Sequence, residues 1–135
     1  MLLPALIFIA ATNQKVPFHA LLKTEARSPE LPKAALIQDR HKAYAYVLLV
    51  QGGKPRPWSI MKTNWRHTNV VAVYPGLMQR DAKVTIKGIT RDKRGLTVHL
   101  DARPGISAMT YYPIIFITIP KQPVNEKTDI EGLND

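Results

Sequence analysis

The sequence predicts a mainly β fold, an antiparallel β-sandwich or small barrel with one or two short helices near the N-terminus. Three observations lead there. Eleven prolines recur along the 135 residues, leaving 33–54 and 76–103 as the longest proline-free windows, and proline interrupts helix interiors. Two segments, "AKVTIKGIT" and "LTVHLDA", alternate apolar and polar residues with the period of a strand that has one wet face. The charged, glycine-ended "RDKRG" between them makes 82–102 a hairpin. An apolar content of 45% with 21% charged residues suffices for one folded core.

Taken in order, residues 1–12, "MLLPALIFIAAT", read as a truncated signal segment or a first strand. The apolar run is too short for a membrane-spanning helix, which needs about 20 residues, but fits a signal h-region followed by small residues. On that basis export, periplasmic or secreted, is favoured over a cytoplasmic location. A single β-rich domain is expected over 13–121. Within it, "FHALLKTEA" and "PKAALIQDRHK" have the composition of two short helices. "AYAYVLLV" (43–50) reads as a buried strand, with "WSIMK" and "NVVAVY" as the next two. In the hairpin, Val84, Ile86 and Gly88 are placed on one face, with Lys83, Thr85 and Lys87 on the other. Leu96, Val98 and Leu100 point in, and Thr97, His99 and Asp101 out. "PIIFITIP" is a β-branched strand bounded by proline at each end. Residues 122–135 are acidic and aperiodic, and are expected to form a flexible tail.

The net charge is +9, although the last ten residues hold four acids against one lysine, so the body of the chain is more basic still. Such a balance steers the domain toward anionic partners. With no cysteine, disulfides, thiolate metal sites and cysteine nucleophiles are excluded. The four histidines, His19, His41, His67 and His99, have no metal-ligand spacing, so no metal site is expected. Ser28, Ser59 and Ser107 form no nucleophile elbow, and the glycines form neither a P-loop nor a dinucleotide fingerprint. No catalytic residue and no cofactor is assigned; the chain reads as a non-enzymatic protein.

A protein partner is the leading expectation. Arg56, Trp58, Trp65 and Arg66 are the candidate contacts, because tryptophan and arginine dominate interface hot spots. The alternative is nucleic acid held by a basic hairpin: Lys83 and Lys87 on the outward face, with Arg91, Lys93 and Arg94 in the loop. Against it, no module signature of nucleic-acid binding is present.

Three stretches carry a family resemblance: "VLLVQGGKPRPWSI", "VTIKGITRDKRGLTVHLDARPGIS" and "MTYYPIIFITIPK". Over residues 45–121 they resemble the PrcB C-terminal-like family of bacterial proteins, named for a subunit that stabilises a secreted serine protease. In that family a strand ends in a Gly-x-x-Pro loop, a charged hairpin follows, and a Thr-x-x-Pro segment leads into a last strand closing with Ile-Pro-Lys. "RPWS" stands here where the family has a Thr-Gly-Gly-Tyr type sequence, and 61–81 reads as an insertion. The resemblance implies an exported accessory domain that binds or stabilises another protein, such as a protease, without catalysing a reaction itself.

Overall fold

A computed structural model describes residues 14–27, 30–50, 59–123 and 127–132. In chain order the elements are β1 (Gln14–Lys15), β2 (His19–Glu25), β3 (Ala34–Ile37), helix α1 (Arg40–Val50) and a 3-10 turn (Ser59–Lys62). Then come β4 (Thr68–Val73), β5 (Met78–Gln79), β6 (Lys83–Asp92), β7 (Gly95–Arg103), β8 (Thr110–Tyr111), β9 (Pro113–Pro120) and β10 (Thr128–Glu131). Two open four-stranded sheets, ordered β1-β6-β7-β10 and β2-β9-β4-β3, form the body, and β5 and β8 make a small ribbon. The architecture is mainly β and sandwich-like, and the described strands close no barrel.

The second sheet is the middle of three layers, and its composition follows from that. Val71, Val73, Ile117 and Ile119 face the first sheet, where they meet Ile89, Leu96, Val98 and Leu100. Val70, Ala72, Ile114 and Phe116 face the other way, onto α1 and Ile60. Because both faces are buried, "NVVAV" and "IIFITI" read as continuous apolar runs rather than alternating ones. The first sheet is wet on its outer side, so β6 and β7 alternate.

Residues 43–50 are helical, which corrects the strand expected there. Ala43, Tyr46, Val47 and Val50 are buried, the i, i+3, i+4, i+7 stripe of a helix, while Tyr44 and Leu49 lie on the wet side. A short apolar run fits either element. The start signal is Asp39, whose carboxylate accepts the Lys42 amide at 2.8 Å, as an N-cap does.

The N-terminal segments invert in the opposite sense. Residues 19–25, expected to be helical, pair antiparallel with β9, with a bulge between Ala20 and Leu22. Residues 34–37, also expected in a helix, pair with β4. In both, the ladder offered by a neighbouring strand outweighs the helix propensity of leucine, alanine and lysine. Ser59–Lys62 is a 3-10 turn instead of a strand, and it seats Ile60 in the core.

The acidic C-terminal segment is also structured in part. Thr128–Glu131 pairs parallel with β7, with Ile130 opposite Val98. Gly95 and Gly132 flank this pairing at positive φ. A side chain at either would collide with backbone: the Lys127 carbonyl at Gly95 and the Leu100 carbonyl at Gly132.

Candidate partner-binding edge

Arg56 and Trp58 lie outside the described residues. Trp65 is only half-exposed, packs against the core on the α1 side, and has a buried indole N–H with no partner among the described residues. Trp65, a candidate contact in the sequence, is thus largely a packing residue. Its carbonyl accepts the Lys121 ammonium at 3.3 Å, and Arg66 beside it is exposed.

The basic hairpin is divided among faces. A bulge between Ile86 and Gly88 shifts the parity of β6, so Gly88 pairs outward with His99 and Ile89 turns into the core. Arg91 is then opposite Leu96, half-buried at the inner rim and outside the loop expected to hold it. The turn itself is only Lys93–Arg94, held by the Arg94 amide donating to the Asp92 carboxylate at 2.7 Å. Lys83 and Lys87 remain exposed.

On the outer face, β10 brings Asp129 and Glu131 opposite Thr97 and His99. His99 Nε2 lies 2.8 Å from the Thr90 hydroxyl, and Nδ1 lies 3.8 Å from Glu131. The ring thus ties β6, β7 and β10 together. At 3.8 Å the carboxylate is too far from Nδ1 for a hydrogen bond that would fix the ring as a base. The groove here, about 570 Å³, is lined by Asp92, Asp129 and Glu131 as well as Arg94 and Lys127, so it favours no single charge.

The opposite margin of that sheet is different. β6 runs for ten residues, yet β1 covers only Thr90 and Arg91, continued by the Val16 amide donating to the Ile89 carbonyl. Among the described residues no strand pairs with Lys83–Gly88 on this side. In the facing sheet, β2 extends over seven residues. The first sheet therefore stops short of the second, and an apolar groove of about 450 Å³ opens between them. Phe18, Leu22, Val84, Ile86, Ile115 and Ile117 line it, and a neighbouring groove shares Phe18 and continues along Val16 and Ile89. Lys23 and Lys15 are the charged residues lining the two grooves, and neither lining contains an acid.

A second exposed apolar feature stands at the β5–β8 ribbon. Ile106 is 96% exposed, and Met109 and Leu77 are 65% and 58% exposed. Their loop is held firmly: the Asp81 carboxylate accepts the Ile106 and Ser107 amides at 3.0 Å each, and Gln79 accepts the Gly105 amide at 2.8 Å. The hydrogen bonds from the Ile106 and Ser107 amides hold the Asp81 carboxyl below the usual carboxylate range.

Compared with protein-family models, curated proteins and solved structures, the chain matches none. The segment before the Gly-x-x-Pro stretch is helix α1, where the PrcB-like pattern has a strand. Among the described residues, no group of His, Asp and Glu could hold a metal ion, and no helix is long and apolar enough to cross a membrane.

Proposed function

We propose that the chain is a non-catalytic binding domain whose partner is another protein, engaged at the open margin between β6 and β2. The observation that carries this reading is the half-buried apolar groove beside an unpaired length of strand, since an apolar cleft next to open backbone donors and acceptors is a place where a partner docks. The fixed apolar loop at Ile106 offers a further contact of the same kind, preorganised so that little ordering entropy is lost on binding. An accessory role beside a protease at the cell envelope is the form suggested by the PrcB-like resemblance of residues 45–121.

The test is capture from a native extract treated with nuclease, comparing the wild type with Ile86→Glu and Val84→Lys, each checked for its circular dichroism and melting temperature. A protein retained by the wild type and lost from a folded groove variant supports the reading. Equal retention by all three refutes it. Loss of binding on nuclease treatment would turn the assignment to nucleic acid.

A further inference from the structure

We infer that the open margin of β6 takes up an extended segment of a partner protein as an added strand, and that this segment alternates aliphatic with acidic residues. The inference rests on the protein-binding reading above and specifies the partner's chemistry.

Backbone comes first. Lys83–Gly88 is six residues of strand, about 20 Å long at the usual rise, regular over Lys83–Ile86 and bulged at Lys87. One side pairs with β7, while the other has no ladder partner among the described residues. An added strand would satisfy that side as β1 does at Thr90 and Arg91. Its alternate side chains would then point into the groove over Phe18, Val84, Ile86 and Ile115, which suits aliphatic residues.

Charge selects the rest. Lys83 and Lys87 stand exposed on the strand, Lys23 and Lys15 line the grooves, and none of the four has a carboxylate partner among the described residues. Lysines on an edge strand discourage pairing with a like-charged copy of that edge. They impose no such penalty on an acidic strand, because opposite charges directly across a ladder attract. The sheet already displays the accepted pattern at its far edge. There β10, "TDIE", turns Ile130 toward the core beside Val98 and sets Asp129 and Glu131 on the outer face.

The test uses the full chain, labelled with ¹⁵N, and three end-capped eight-residue peptides. One alternates isoleucine with glutamate, one isoleucine with lysine, and the third is the glutamate peptide with alternate amides N-methylated. The glutamate peptide should bind and shift the amides of 83–88. The lysine peptide should bind about tenfold more weakly, as expected when two cross-strand charge pairs reverse sign. N-methylation should abolish binding, because it removes ladder donors while keeping the side chains. Equal binding of the N-methylated peptide, shifts confined to other residues, or no binding by the glutamate peptide overturns the inference. A concentration-dependent dimer of the chain that competes with the peptide would make a second copy the occupant and overturn the assignment to another protein. If the peptides fail while Ile86→Glu still loses a captured protein, strand addition falls and the protein-binding reading stands. If neither experiment depends on the groove, both fall.

Discussion

Replacing Gly95 with alanine should release the C-terminal strand from β7. Gly95 sits at φ +125°, and a Cβ there would be driven into the Lys127 carbonyl oxygen. That oxygen accepts the Leu96 amide at 2.8 Å, the first bond holding β10 in place. Three losses add: about 1 kcal/mol for a non-glycine residue at positive φ, about 1 kcal/mol for the hydrogen bond, and about 1 kcal/mol for partial re-exposure of Ile130. The total is about 3 kcal/mol. Gly76→Ala supplies the control, because Gly76 also has positive φ, at +99°, but nothing lies within 4 Å of its would-be Cβ. It should cost only the backbone strain, about 1 kcal/mol. Urea denaturation measures both, and amide hydrogen exchange should show faster exchange at 96–99 and 128–131 for Gly95→Ala alone. If Gly95→Ala costs no more than Gly76→Ala, or exchange rises evenly through the molecule, the docking described for β10 is wrong.

The helix over 40–50 is tested by two neighbouring truncations. Val47→Ala should cost about 2 kcal/mol, since Val47 is fully buried, whereas Leu49→Ala, at a residue 57% exposed, should stay within about 0.5 kcal/mol. A strand would put both on one face, so similar costs by thermal or urea unfolding would contradict the helix. Tyr46→Phe should be neutral or stabilising by up to about 1 kcal/mol, because the buried Tyr46 hydroxyl has no partner among the described residues; a clear loss of melting temperature would show that it has one. Asp81, with its pKa lowered by the Ile106 and Ser107 amides, should hold the apolar loop fully above the ordinary aspartate range and release it as pH falls through the depressed value. The amide shifts of Ile106 and Ser107 followed from pH 7 to 2 should move together with a midpoint below that range. Shifts that stay flat, or that move at the ordinary midpoint, would refute the anchoring role.

The strands over 68–73, 83–92, 95–103 and 113–120 were legible because each carries its own pattern. Alternation marked the two with a wet face, and β-branched density marked the two buried on both. Residues 43–50 were ambiguous because aromatic and aliphatic density alone does not separate strand from helix. The discriminating signals were the spacing of Ala43, Tyr46, Val47 and Val50 and the cap at Asp39. Leucine, lysine and glutamate in "HALLKTE" favour a helix locally, and only the neighbouring β9 decides otherwise. In the tail, acids masked a four-residue strand whose signs were the alternating Ile130 and the glycine after Glu131. The candidate edge was half visible. Lys83 and Lys87 were readable on β6, but the groove beside them exists because β1 is short where β2 is long, a relation between sheets that no local window contains. Arg91 was misplaced because the ladder runs on to the Asp92–Gly95 pair, leaving a turn of two residues, and the one-residue bulge then sets the face it takes.

Strand addition at β6 is tested most directly by reversing the charge of the edge. Lys83 and Lys87 are exposed, so the Lys83→Glu, Lys87→Glu double variant should fold as the wild type does. Titrated with the isoleucine–glutamate and isoleucine–lysine peptides under ¹H–¹⁵N detection, it should invert the wild-type preference, binding the lysine peptide more tightly and still shifting the amides of 83–88. An unchanged preference for the glutamate peptide, or shifts that leave 83–88 untouched, would contradict the account.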